Sequence, residues 1–209
     1  MPSLAYKKDI YTYALPLSQT NSTATPIPDF GFINWPGAGI QSYDATCDQL
    51  VSLGRSEPEF SGMMIWAGNS KTNSKRKELV RYSSLCSWLR IFDTSRGDPF
   101  LPMIEQIKYS YLIDIEGRGY SGRVKLMLFF RRPLFLQERD QVEWYHKLLV
   151  PYIHYIPVRN DLSNLEEQYY WAEQNQDESH AIAQRAQDFA LANLRTSNAV
   201  EYLKGILLD

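Results

Sequence analysis

Residues 111–128 read "YLIDIEGRGYSGRVKLML". An apolar run leads through Gly117, Gly119 and Gly122, spaced G-x-G-x-x-G, into a segment with helical character. A strand, a glycine turn and a helix in that order can hold phosphate: the turn lets backbone amides approach an anion, and a helix start favours negative charge. Three chemistries share this outline. A dinucleotide site would use Glu138, at the end of the next strand, for a ribose hydroxyl. A nucleophile elbow would use Ser121 in "GYSGR", with His154 or His180 as base and Asp140 or Asp161 as orienter, although Arg123 stands where the elbow wants glycine. A nucleotide-sugar site would set the turn against the diphosphate, with Arg123, one turn into the helix, as a bidentate cation. The plainer reading of Arg123 is a surface pair with Asp114 or Glu116.

Outward from the turn, short apolar runs alternate with helical stretches. "GMMIWA" (62–67), "YSYLIDI" (109–115), "PLFLQE" (133–138) and "IHYIPV" (153–158) have strand character. "KRKELVRYSSLCSW" (75–88), "GRVKLMLFF" (122–130) and "VEWYHKLLV" (142–150) have helix character. Such alternation predicts β-α-β units and a parallel sheet. A short helix is expected over 42–54. In the tail, Ser163 and Glu166 have capping-box spacing, Asp177 suits the cap of a further helix, and Ile182, Ala186, Phe189 and Ala190 form a core-facing stripe. Residues 16–28, "PLSQTNSTATPIP", read as a linker or extended arm.

The whole chain sets limits. Its 209 residues with 44% hydrophobic content can bury a real core, and a formal charge of −2 gives no reason to expect nucleic acid. Lys71, Lys75, Arg76 and Lys77 cluster locally, most simply as a solvated face. Cys47 and Cys86 are the only cysteines and there are 3 histidines, so neither a disulfide framework nor a structural zinc site is expected. No run approaches the roughly eighteen apolar residues of a membrane span. No export address is visible either. Asn21-Ser22-Thr23 fits a glycosylation sequon.

"PYIHYIPVRNDLSNL" (151–165) resembles the C-terminal signature of the family 90 glycosyltransferases, the group of protein O-glucosyltransferases and capsule-associated proteins. "KYSYLIDIEGRGYSGRVKLMLF" (108–129) is similar to the family's stretch of Tyr-Lys-Tyr-Leu, a glycine and Ser-x-Arg. "MIWAGNSKTNSKRKELV" (64–80) resembles its strand, polar loop and helix-opening arginine, and Asp-Phe-Gly-Phe near residue 30 fits more loosely. The resemblance covers roughly residues 27–195. It implies a GT-B fold, with two Rossmann-like domains facing across a cleft and the nucleotide held mainly by the C-terminal one. The implied reaction is inverting, metal-independent transfer from a UDP-sugar, of glucose or xylose type, to a hydroxyl of a protein or polysaccharide. No cofactor beyond this co-substrate is implied. For eukaryotic relatives the implied compartment is the lumen of the endoplasmic reticulum or Golgi.

Carried onto this chain, the donor-binding set is Gly68, Asn69, Arg76, Gly117, Ser121 and Arg123, with Glu138 as a further contact for donor hydroxyls. Residues 61–209 are then the Rossmann-like donor domain with a helical C-terminal tail, and 1–60 an arm and remnant of an acceptor-side domain that is cut short. Ala67 departs from the family arginine at its position, and Asp114 from a common asparagine. The family's base is an N-terminal-domain aspartate. Asp9, in "YKKDIYTY", is the one acid in that neighbourhood. Ala67 and the shortened domain also leave room for a non-catalytic interaction protein. Asp114 and Glu116 have the D-x-E outline of a metal-binding acid pair, but the family context implies no metal. Tyr152, His154 and Tyr155 read as packing of their strand.

Overall fold

The computed structural model describes residues 10–16 and 24–208. Nine strands and six α-helices are formed among them. Five strands make one parallel sheet: β4 (Phe60–Gly68), β5 (Leu89–Asp93), β6 (Tyr109–Asp114), β7 (Leu134–Gln137) and β9 (Ile156–Val158), in the order β5-β4-β6-β7-β9. The remaining strands are short pairs: β1 (Ile10–Thr12) with β3 (Ala24–Pro26), and β2 (Leu15–Pro16) with β8 (Gln141–Val142).

Parallel strands need crossovers that cover both faces, so strand side chains are apolar on both sides. Met64, Trp66, Tyr111, Ile113 and Phe135 point to one face, where α2 (Ser74–Tyr82) and α4 (Leu165–Gln174) lie. Ile65, Leu112, Leu134 and Leu136 point to the other. There they meet α1 (Tyr43–Leu53), α3 (Val124–Met127) and the latter part of α5 (Gln176–Asn193), with α6 (Thr196–Leu208) contributing Ala199. Phe32, Ile40 and Tyr43 belong to this second core, so the chain before β4 packs directly on the glycine-turn region. No helix among the described residues is long and apolar enough to cross a membrane.

The sheet places a crevice. The crossover direction reverses between β4 and β6, which lie side by side while their neighbours run outward. In open α/β sheets a ligand sits at the strands' carboxyl ends at such a reversal.

Several local expectations are corrected. The helix expected over 75–88 ends at Tyr82, because the Ser83 and Ser84 hydroxyls donate back to the Val80 and Arg81 carbonyls at 2.8 and 2.7 Å. Strand β5 follows, unforeseen. The helix expected over 142–150 is a single 3-10 turn, His146–Leu148. Three consecutive residues, Glu143, Trp144 and Tyr145, are buried there, and His146 Nδ1 takes the Glu143 N–H at 3.0 Å. Helix α3 has only four residues, and Arg123 is its N-cap rather than one turn inside. The capping box does not form: Ser163 N–H donates to Asp161, and α4 starts behind Asn164. Helix α5 begins at Gln176, which puts Asp177 in its first turn instead of at its cap. The α5 stripe does pack inward, with Ile182, Ala186 and Ala190 buried and Phe189 against the core.

Candidate functional site

A cavity of about 330 Å³ opens at the carboxyl ends of β4 and β6. Six of the seven residues expected to bind a donor line it: Gly68, Asn69, Arg76, Gly117, Ser121 and Arg123. Its apolar wall comes from Trp35, Phe92, Phe100 and Leu101. Glu138 is in a different place. It borders a second cavity beyond β7, and its carboxylate accepts the Asn160 N–H at 3.1 Å. Asp9 lies outside the described residues.

Asp114, the last residue of β6, organises the cavity floor. It is fully buried, and its Oδ1 accepts from Arg123 Nη2 at 2.7 Å and from Ser121 Oγ at 2.9 Å. Its Oδ2 accepts from Arg139 Nη2 at 2.5 Å. Burial alone would push this carboxyl up, but the Arg123, Arg139 and Arg76 guanidiniums outweigh it and hold it below the usual carboxylate range. Arg123 also donates through Nη1 to the Ala67 carbonyl. The Arg123–Asp114 pair is therefore real but buried, not the surface pair that the sequence allows.

The two arginines of the cavity have different capacities. Arg76 donates to the Ile115, Glu116 and Asn69 carbonyls and to Thr72 Oγ1, at 2.9–3.4 Å. Four of the five N–H groups of its guanidinium are thereby committed, two to the residues that follow β6 and two to the loop that follows β4. It sits over the Trp66 ring, 5.6 Å from its centroid. Burial, then repulsion from Arg123, lowers its pKa to about 10. Arg123 commits two N–H groups to the protein among the described residues, and its side chain lines the cavity with the other three unpartnered. Arg76 fixes the loop, and Arg123 is the cation with donors to spare.

The glycine turn works differently from a dinucleotide fingerprint. Gly117 is tight against Arg76, where a Cβ would lie 3.3 Å from Nη2, whereas a Cβ on Gly122 would meet Asp29 and Trp35 only at ordinary contact distance. Gly119 has open space around it, so the middle glycine of the spacing is not required by packing. The turn is braced from outside. Asn73 Nδ2 donates to the Gly117 carbonyl at 2.8 Å. The Tyr120 hydroxyl donates to Asp29 Oδ2 at 3.0 Å, and Lys125 Nζ sits 2.6 Å from Asp29 Oδ1.

Lys125 is completely buried, 3.6 Å from Glu143 and 4.7 Å from the Phe32 ring centroid. Burial raises the Glu143 carboxyl to about 7 against the opposing pull of Lys125. Sequence reading missed Asp29, Lys125, Arg139 and Glu143. The only local signals were that Lys125 follows Arg123 by two and that Asp29 precedes the aromatic Phe30-Gly31-Phe32 run.

The elbow reading fails on geometry. Ser121 Oγ donates to Asp114, while His154 Nδ1 accepts the Val150 N–H at 3.0 Å and its ring lies against Phe189. His180 borders a cavity that Ser121 does not line. Both acids of the 114/116 pair face the protein's own cations: Asp114 meets two arginines, and Glu116 meets Lys75 at 2.8 Å. Among the described residues no group of three or more His, Cys, Asp or Glu side chains is arranged to hold a metal ion. The basic cluster is split as well, with Lys71 and Lys77 exposed, Lys75 bridging Glu116 and Asp140, and Arg76 buried.

Comparison with known proteins agrees with the residue pattern. Residues 10–209 match the family model described as glycosyl transferase family 90. Protein O-glucosyltransferase 1 of Mus musculus is 29% identical over 193 residues, covering 84% of this chain and 49% of that protein. Protein O-glucosyltransferase 2 of Danio rerio is 26% identical over 212 residues, covering 86% and 42%. Uncharacterized protein 179R of Invertebrate iridescent virus 6 is 26% identical over 165 residues, covering 76% and 14%. The chain spans about half the length, or less, of these curated relatives. With its signature segments, its parallel sheet and a match over nearly its whole length, the chain belongs to glycosyltransferase family 90.

Proposed function

We propose that this chain is the donor-binding part of a glycosyltransferase that moves a sugar, of glucose or xylose type, from a UDP-sugar to a hydroxyl of a protein or polysaccharide. One observation carries the reading. Six residues chosen from the sequence for donor binding converge on one cavity at the sheet's reversal point, with Arg123 holding spare donors there. The aromatic wall of Phe92 and Phe100 suits a base, and the basic floor suits a diphosphate.

In this reading the reaction inverts the anomeric carbon within a GT-B frame, with residues 61–209 as the donor side. Charge grows on the departing diphosphate as the glycosidic bond breaks. Arg123, already held by Asp114 and the Ala67 carbonyl, meets that charge without reorganising. The acceptor hydroxyl needs a base on the opposite side, supplied by a facing domain, and Asp9 is the candidate that this sequence offers. In this reading no metal takes part, and the Asp114 and Glu116 carboxylates serve instead as partners of arginine and lysine.

Calorimetric titration with UDP, UDP-glucose and NAD tests this directly. UDP and UDP-glucose should bind and NAD should not. Arg123→Ala should weaken UDP by about 1.5–3 kcal/mol, the scale of a charge-assisted hydrogen bond. Equal UDP affinity in a folded Arg123→Ala protein would remove the cavity from consideration as the donor site.

A further inference from the structure

The second cavity, of about 500 Å³, lies beyond the carboxyl ends of β7 and β9 and is bordered by Arg139, His146, Tyr155 and Asn160. None of the residues lining the first cavity lines this one. Three buried nitrogens of its bordering side chains have no hydrogen-bond partner: Arg139 Nε, Arg139 Nη1 and His146 Nε2. Their chemistry is uniform. His146 Nδ1 accepts the Glu143 N–H, so the neutral ring carries its proton on Nε2. All three orphan atoms are donors. A buried donor without an acceptor is costly, and more so on a charged group.

The carboxylates around Arg139 are shared as well. The single carboxylate of Asp114 serves two guanidiniums, Arg123 on one oxygen and Arg139 on the other. The other acids near Arg139 are occupied. Asp140 is paired with Lys75, Glu138 accepts the Asn160 N–H, and Glu143 accepts from the Tyr145 hydroxyl. Burial, then the Arg139 guanidinium, lowers the His146 pKa well below its ordinary value and keeps the ring neutral, so it presents a donor rather than a second full charge.

We propose that this second cavity is an oxyanion site, in which Arg139 Nε and Nη1 and His146 Nε2 hold a carboxylate or phosphate group of a ligand. Only an acceptor can satisfy a set made wholly of donors, and a negative one gains most from a guanidinium. The three atoms are closed to solvent, so a ligand reaches them only as the segment between β7 and β9 shifts, a segment that carries the two-residue β8 and one 3-10 turn. The inference is independent of the UDP-sugar reading, which concerns the other cavity.

The test uses the full chain labelled with ¹⁵N-histidine, whose 3 histidines are assigned with His146→Gln. Sodium phosphate and sodium acetate are titrated separately at constant ionic strength and neutral pH, with chloride as the balancing ion. The expected result is a saturable shift of the His146 Nε2–H signal by at least one of the two anions, the stronger responder naming the source. Arg139→Lys keeps a cation for Asp114 and removes the Nε and Nη1 donors, and it should weaken the response about tenfold or more. A His146 signal indifferent to both anions in the unsubstituted protein overturns the proposal by itself, since water then completes the donors. An equal response in Arg139→Lys overturns the assignment of the guanidinium.

Discussion

Glu143 offers the most quantitative test of the buried charge cluster. Its carboxyl is 1% exposed, 3.6 Å from Lys125, and accepts the Tyr145 hydroxyl at 3.0 Å. Burial raises its pKa from an ordinary 4.5 to about 7, with Lys125 pulling the other way. The folded protein therefore holds this proton more tightly than the unfolded chain. The stability it confers is fully present below about pH 4.5 and is lost as pH rises through about 7. At ~1.4 kcal/mol per pH unit over that interval, the loss is roughly 3 kcal/mol. Glu143→Gln keeps shape and hydrogen-bonding capacity without the ionisation. The variant should match the parent near pH 5 and exceed it above pH 8, by about 6–12 °C in Tm for a chain of this size. Scanning calorimetry or thermal circular dichroism across pH 5–8.5 on both proteins measures this. Two parallel stability curves would refute the reasoning, because they would mean that Glu143 keeps its charge in the fold at no cost.

Further tests probe the rest of the site. Lys125→Met fits the same buried space but leaves Asp29 and Glu143 without a cation, and it should destabilise by about 3–5 kcal/mol in urea denaturation. Its double variant with Asp29→Asn should recover part of that loss. Gly68→Ala would put a Cβ 2.9 Å from the Trp66 ring, on which Arg76 rests, so it should lower UDP affinity about tenfold while the far-ultraviolet spectrum is unchanged. UDP binding followed by calorimetry should be unaffected by EDTA, and a strict manganese requirement would instead support a metal held at Asp114 and Glu116.

How far the sequence carries can be argued from particular residues. Strands β4, β6, β7 and β9 were legible because both their faces are apolar, and the Ser121 and Arg123 positions were legible through a short motif of fixed spacing. Strand β5 was hidden behind Tyr82 and Trp88, whose aromatic run extends the helical pattern by eye, while two serine hydroxyls end the helix in space. Lys125 reads as an ordinary lysine on a helix face. Its burial depends on Asp29, 96 residues away, and on Glu143 in a segment whose own helical pattern is overridden by that burial. Glu138 misled because its distance along the chain matches a ribose-binding acid, whereas β7 carries it past the first cavity to the second.

The bracing of the glycine turn has a consequence for how the site comes into being. Helix α3, with four residues, is too short to persist alone in water. The turn before it takes its shape from Arg76, 39 and 40 residues back, and from Asp29, which Tyr120 reaches across 91 residues. No local folding event can produce the cavity, which closes only when the first and middle thirds of the chain have met. A ligand that fills it then binds the completed fold and nothing earlier on the route. Its binding energy is returned as protection of the whole molecule, growing as RT ln(1 + [L]/Kd). Slowed exchange of core amides in β4, β6 and β7 would register occupancy of the cavity as plainly as any contact within it.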